Sequence, residues 1–374
     1  MNIFDCDRHV MEPVSMWEKY VDPQIFKQSP VHIKLDVISN DDSQSTQQSH
    51  IYLPPTYCIG DTPILKHWNT DIQIETALRP QNKQARQLAA SGLGQLSSMN
   101  NDGISKALIF PTFAGYIINH ESISNEVSTA YAQGYNKWIL DYCAPDPQRL
   151  VPVALVSRHY RSNFYEQLSL IAKQGFTCIT IRPEPINNKH LGDSIYESFW
   201  DACNKLNLKV LFHGGTHLHG STIGSDRFTS RFALHACSHA LEAQMAFVSL
   251  LEGGVFNKYP DVKFVFLEAG ASWLPYWLWR LDNICYPEFP NLVKDHITVK
   301  PSEYFKRHCY ISIEPGEPGL DDVVNLIGSD KLLFGTDFPH PDHQDFSISS
   351  LLNIKGLTSS TVKDILEINP AMLF

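Results

Sequence analysis

Two short clusters near the ends of the chain carry residue types that hold metal ions. Asp7-Arg8-His9 closes the first strand-like run, and Gly335-Thr336-Asp337-Phe338-Pro339-His340 closes the last. Asp7 and His9 are two residues apart, so alternation along a strand puts both side chains on one face. A carboxylate with an imidazole suits zinc, manganese or ferrous iron. His213 ends the apolar Val210-Leu211-Phe212 just before Gly214-Gly215, and Asp337 ends the apolar run that starts at Leu332. Taken alone, each has a plain explanation: an incidental triplet, a histidine on a backbone carbonyl, a loop-capping carboxylate. Together they are four ligand-type residues ending three strands, provided that a fold gathers those ends.

The rest of the chain has the elements for that. Short apolar runs rich in β-branched residues predict strands at 2–5, 106–110, 151–155, 177–181, 209–212, 262–267, 309–313 and 331–334. Several are apolar almost throughout, as expected of parallel strands covered on both faces. Helical patterns lie between them at 124–141, 163–173, 195–205, 232–258, 272–284, 319–326 and 358–367. Strand and helix alternating eight times predicts a (β/α)8 TIM barrel, α/β in class. A doubly wound sheet is the alternative, but no GxGxxG opens its first crossover. A closed barrel would set the first and last strands side by side and aim all three ligand-bearing ends at one mouth. Residues 14–104 break the pattern with a polar tract at 40–49, Pro54-Pro55 and a helical stretch at 84–99. They read as an insertion after the first strand within a single domain spanning 1–374, a flap or oligomer arm with a mobile surface loop.

Bulk properties narrow the classes of partner. The 374 residues are 43% hydrophobic and 19% charged, an ordinary globular balance, and the net charge of -10 disfavours nucleic acid or an acidic membrane. There is no apolar run of membrane-spanning length, and the first residues lack the basic start and apolar stretch of a signal peptide. The eight cysteines are scattered without a CxxC pair and read as free thiols of a cytoplasmic protein.

Four segments carry a family resemblance: Asp-Cys-Asp-Arg-His-Val-Met-Glu-Pro at 5–13, Phe-His-Gly-Gly at 212–215, the run from Gly253 to Pro275, and Gly-Thr-Asp-Phe-Pro-His at 335–340. The chain resembles the amidohydrolase-related family, the branch of the amidohydrolase superfamily that includes aminocarboxymuconate-semialdehyde decarboxylase and the resorcylate-type decarboxylases. The similarity runs from Asp5 to Asn369-Pro370 and is weakest across 30–85. It implies one divalent metal ion, zinc ahead of manganese or iron, with Asp7 and His9 as the first-strand pair, His213 as the fifth-strand histidine and Asp337 as the eighth-strand aspartate. Two positions depart from the pattern. Asp7 stands where the pair is often His-x-His, and Glu268 stands where the semialdehyde decarboxylase carries a catalytic histidine.

Other residues have a functional and a structural reading each. Glu268 ends a very apolar strand, so it either serves the site as an acid or base or bonds neighbouring backbone. Arg182, in Ile181-Arg182-Pro183, either grips a substrate carboxylate or organises a loop. Glu12 before Pro13 reads as a structural carboxylate. His340 and Asp342 either orient a ligand or are merely exposed. His217 and His219 read as members of a solvated loop, with substrate contact as the second use. His235, His239 and Glu242, at i, i+4, i+7, read as one helix face at the substrate rim or in packing. Trp273, Tyr276, Trp277 and Trp279 read as core or oligomer interface.

The expected activity is hydrolysis of an amide-like C–N bond or an ester of a small polar molecule by metal-activated water. Asp337 would accept the proton, Glu268 would relay it to the leaving group, and Arg182, His217 and His340 would bind substrate. The alternative is a non-oxidative decarboxylase of a small carboxylic acid. A binding scaffold without catalysis is the third reading. The expected assembly is a homodimer.

Overall fold

In the computed structural model, residues 2–40, 49–66, 68–78, 83–159, 163–215, 219–314, 316–340 and 353–374 are described. Eight parallel strands form the frame: β1 (Ile3–His9), β2 (Ile104–Phe110), β3 (Leu150–Pro152 continuing as Ala154–Leu155), β4 (Cys178–Ile181), β5 (Lys209–His213), β6 (Phe264–Leu267), β7 (Cys309–Ile313) and β8 (Leu332–Phe334). β1 pairs with β2 and β2 with β3, while β3 through β8 pair in order. The ring closes where Arg8 bridges Phe338, His9 N–H donates to the Phe338 carbonyl at 2.7 Å, and Asp337 N–H donates to the Asp7 carbonyl at 2.9 Å. The fold is the (β/α)8 barrel.

The apolar strands sort their side chains by alternation. Phe4, Cys6, Leu108, Phe110, Val153, Cys178, Leu211, Val265, Leu267 and Leu333 form one buried cluster. Their neighbours Ile3, Ile109, Ile179, Val210, Phe212, Phe264, Phe266, Ile311 and Phe334 pack with the helices in another. Burial on both faces is why most of these strands are apolar through their middles, buried Asp5 of β1 being an exception.

Helices follow the strands largely where the sequence predicts them, with one clear difference. The expected single helix over 232–258 is three pieces: Arg231–Cys237, Ala240–Glu252 and Val255–Lys258. His239, at φ 54°, interrupts the first join, so His235, His239 and Glu242 do not share a continuous helix face. An additional helix, Pro301–His308, precedes β7; its proline start and its Lys306-Arg307-His308 end are ordinary boundary signals that the sequence reading passed over.

The 14–104 segment contains small antiparallel pairs, Val31–Lys34 with Thr56–Ile59 and Val37–Asn40 with Ser49–Tyr52. The polar tract expected to be a loop lies mostly outside the described residues. The helix expected over 84–99 is split into Lys83–Leu88 and Gly92–Asp102, because Ser91 caps the second by accepting from Gly94 N–H. That second helix lies against β1: Arg8 bonds Gln95 at 3.2 Å and Ser98 at 2.8 Å. The segment also reaches the loops after other strands. Tyr57 stacks on Phe113 at 4.0 Å, His219 donates to the Pro63 carbonyl at 2.6 Å, and Lys66 donates to the Gly220 carbonyl at 3.2 Å. His219 is therefore a tie between insertion and barrel rather than a solvated loop residue. All eight cysteines are free, six of them buried. No described helix is long and apolar enough to cross a membrane.

Candidate active site

Asp7, His9, His213 and Asp337 converge at the closure of the barrel, their ligand atoms all within 4.8 Å of one another. Each is 8% exposed or less. Three local devices aim them. In β1 the pairing register with β2 shifts between Asp5 and Arg8, a bulge that changes the side-chain alternation. Phe4 and Cys6 point into the barrel, yet after the bulge Asp7 and His9 face the cluster and Arg8 faces the helix outside. His213 continues the inward alternation from Leu211. At β8, a β-carbon on Gly335 would lie 2.4 Å from the Asp7 β-carbon, so only glycine permits this close approach. Asp5 fastens the same seam by accepting from Thr336 Oγ1 at 2.6 Å and Thr336 N–H at 3.0 Å.

The donor set fits a divalent cation, on the evidence of the imidazole tautomers. His9 Nδ1 lies 2.8 Å from the Pro111 carbonyl and His213 Nδ1 lies 3.1 Å from the Gly214 carbonyl. A carbonyl only accepts, so both Nδ1 atoms carry a proton, and in the neutral ring each Nε2 is left to offer its lone pair. Those two Nε2 atoms are 2.9 Å apart. Asp7 Oδ1 and Asp337 Oδ1 each lie 3.2 Å from His9 Nε2, and Asp7 Oδ2 lies 3.5 Å from His213 Nε2. Lone pairs and carboxylates pointed at one another need a positive charge among them, and the backbone carbonyls behind the histidines are the usual outer support of metal-bound imidazole. When protonated, the imidazoles supply that charge themselves: they outweigh burial, which alone would raise both carboxyls, and hold Asp7 at about 2 and Asp337 well below the carboxylate range. His340 Nδ1 holds Asp337 Oδ1 at 2.8 Å, which makes it a support for a ligand.

Above the cluster opens a cavity of about 220 Å³, lined among others by Tyr116, Arg182, Arg231, His235, His239, Glu268 and His340. Glu268 follows the inward-facing Leu267, so continued alternation would turn it away; its left-handed backbone, φ 50°, brings it back to the cavity. Its Oε2 stands 3.5 Å from His213 Nε2 and 3.4 Å from His239 Nδ1. Burial first, and then the Asp337 charge, push its carboxyl up to about 8. Glu314, at the end of β7, is also pushed up to about 8, by burial and then by Glu317.

The sequence candidates divide accordingly. Arg182 lines the cavity, but its Nη1 donates to the Gly214 carbonyl and to the His213 carbonyl at 3.2 Å, and its guanidinium lies over the Tyr116 ring. Its loop-organising role is visible in those bonds. Glu12 is the structural carboxylate expected, accepting from the N–H groups of Thr112, Phe113 and Ala114. Glu242 is separate from His235 and His239: it accepts from Ile223 N–H at 2.6 Å and lines another cavity with Pro185 and Met245. His217 and Asp342 lie outside the described residues. Trp273 and Trp277 are part-buried against the core, whereas Tyr276 and Trp279 are exposed. Tyr116 and Arg231 were missed, since nothing in their local sequence marks them as lying at the site; Glu314 was missed although, like Glu268, it follows an apolar strand.

A closed barrel with a buried two-carboxylate, two-imidazole cluster at its mouth is built as a site for a divalent metal ion would be. The chain belongs to the amidohydrolase family, whose profile, described as Amidohydrolase, matches residues 4–374, and so to the enzymes of the amidohydrolase superfamily. It is 26% identical over 236 residues to 2-amino-3-carboxymuconate-6-semialdehyde decarboxylase of Dictyostelium discoideum, covering 63% of this chain and 64% of that protein. It is 28% identical over 160 residues to gamma-resorcylate decarboxylase of a Polaromonas species, covering 38% of this chain and 44% of that protein. The alignments thus span less than two thirds of either relative. Among solved structures, an amidohydrolase from Mycobacterium avium subsp. paratuberculosis superposes with a TM-score of 0.78 at 19% identity, covering 100% of this chain and 98% of that one. The 5-carboxyvanillate decarboxylase of Novosphingobium aromaticivorans, solved with bound manganese, superposes with a TM-score of 0.71 at 14% identity, covering 99% and 97%. At these identities the structural likeness speaks for the fold.

Proposed function

We propose that the protein is a non-oxidative, metal-dependent decarboxylase of a small carboxylic acid. The observation that carries the reading is the placement of Glu268, a carboxyl held beside the donor cluster at 3.5 Å from His213 Nε2, where it reaches a substrate bound there. Decarboxylation needs a proton delivered to the carbon that loses CO2, and a fixed carboxyl group at the cavity wall can deliver one. The names of the relatives support the same reading. Hydrolysis, the first expectation from the sequence, has less behind it: Oδ1 of Asp337, the residue cast as its base, is taken by His340.

Asp7, His9, His213 and Asp337 would hold the metal, manganese or zinc. Bound there, the cation would grip a substrate carboxylate and draw electron density from a neighbouring oxygen. Glu268 protonates the carbon, His340 keeps Asp337 oriented, and Arg182 keeps the 213–215 loop in place, with Arg231 at the cavity wall for an anionic substituent. A homodimer belongs to the proposal, with the exposed Tyr276 and Trp279 as candidate contacts; a monomer in sedimentation equilibrium at micromolar concentration would end that part.

The test is turnover in oxygen-18 water by the manganese- or zinc-loaded protein. The panel holds 2-amino-3-carboxymuconate 6-semialdehyde, 2,6-dihydroxybenzoate, 5-carboxyvanillate and amide or ester analogues of them. The expected result is CO2 release with no solvent oxygen in the organic product. Solvent oxygen in the product without CO2 release would instead establish the hydrolase.

A further inference from the structure

Apart from three asparagines, the non-glycine residues with left-handed backbone among the described residues are His239 at φ 54°, Glu268 at φ 50° and Asp337 at φ 52°. All three line the one cavity. Such backbone is unfavourable for a residue with a β-carbon and persists where the surroundings impose it, commonly to aim a side chain. Asp337 is aimed at the donor cluster and Glu268 at the cavity. His239 has no such explanation yet.

Its local setting does not call for histidine. It precedes the helix Ala240–Glu252 at the N-cap position but makes no side-chain capping hydrogen bond. Serine, threonine, aspartate or asparagine would cap, and glycine would adopt this turn, φ 54° and ψ -88°, more readily. What its imidazole does face is Glu268: Nδ1 stands 3.4 Å from Oε2, within ion-pair distance though not aligned as a hydrogen bond. The His235 ring meets it edge-on at 5.8 Å. Space for it is kept by Gly214, where a β-carbon would come within 3.3 Å of His239 Cα and Nδ1.

We propose that His239 is a positioning residue for Glu268: the left-handed turn between the two helices aims its imidazole at the Glu268 carboxyl, which is thereby held between His239 and the ligand His213. The inference rests on the reading that Glu268 serves the reaction, and it applies whichever bond the enzyme breaks.

The test compares the manganese-loaded full-length protein with its His239→Gly and His239→Asn variants. Glycine keeps the left-handed backbone without the imidazole, so loss of folding is not the readout. Asparagine offers a side-chain N–H from the same position. Crystal structures report the Glu268 carboxyl, manganese stoichiometry reports the cluster, and kcat and KM are measured on the panel compound that the wild type turns over. In His239→Gly the carboxyl should leave its place by about 1 Å and kcat should fall about 100-fold, a usual result of such misplacement, with KM and manganese content little changed. His239→Asn should return the carboxyl and most of kcat. A Glu268 that stays in place in the glycine variant, or an asparagine variant no better than glycine, overturns the proposal. The crystallographic arm needs no turnover, so absence of CO2 release, which would sink the decarboxylase reading, leaves this inference to be decided separately.

Discussion

The two sides of the cavity are built differently. On the ligand side, Asp7, His9 and His213 are residues of the barrel strands themselves, locked by strand pairing, and their supports are backbone carbonyls. On the opposite side, Glu268 lies just past its strand, while Arg231, His235 and His239 come from the helical segment after β5 and its break. Apart from Asp337, which lies past β8 at φ 52° and is held by His340, the first side is fixed by the same hydrogen bonds that make the barrel, whereas the second depends on unfavourable backbone and side-chain contacts. Rigid strand ends suit a metal site, whose geometry tolerates little error, and post-strand residues can vary while the barrel stays intact.

If that contrast holds, damage to the two sides should separate metal loss from loss of chemistry. The largest effect is expected of His213→Ala: stoichiometric metal is lost and turnover falls to background, several kcal/mol of transition-state stabilisation being removed together. Metal analysis with a turnover assay checks it; a fully metallated, active variant would break the comparison on its first side. Glu268→Gln should lower kcat by roughly 100- to 10,000-fold, the range for general acid–base catalysis, while metal content stays at the wild-type level. Metal loss in that variant would erase the distinction between the sides.

His340→Ala sharpens the boundary, because His340 lines the cavity yet holds Asp337. It should weaken metal affinity by about 10- to 100-fold, measured by competition with a chelator, as for other supports of metal ligands. The smallest effect is a control on a buried imidazole remote from the cavity. Burial, and then the Lys263 and Arg307 charges, lower the His308 pKa to about 4. The unfolded chain therefore binds this proton more readily. Its stabilising contribution is complete above the unfolded value near 6.5 and is lost as the pH falls towards 4. His308→Gln should remove about 1 kcal/mol of the wild-type stability loss between pH 7 and pH 5 in urea melts, with metal content untouched.

The barrel was legible because parallel strands buried on both faces must be apolar throughout, and eight such runs with helices between leave few architectures. The ligand set was legible because polar residues ending such runs stand out, as Asp7, His9, His213 and Asp337 do. Glu268 was visible for the same reason. Arg231 and Tyr116 were not, because a helix-start arginine and a tyrosine in an apolar stretch look alike wherever they occur. The break at His239 was hidden as well: the apolar spacing continues across 238–239, and the non-helical turn there lies against Gly214 and Glu268 with no proline or glycine in place to announce it.

By itself, then, the sequence determined the strand count, the residue types at the strand ends and hence the donor set. These follow from short-range rules of periodicity and burial. Tertiary structure decided where those side chains point. Simple alternation from Phe4 and Cys6 would have sent Arg8 into the barrel; the bulge between Asp5 and Arg8 sent Asp7 and His9 there instead. Alternation from Leu267 would have turned Glu268 outward; a left-handed residue turned it in. Register and backbone handedness at a strand end are set by the neighbouring strand and the loops packed on it, and that information is spread over residues hundreds of positions apart.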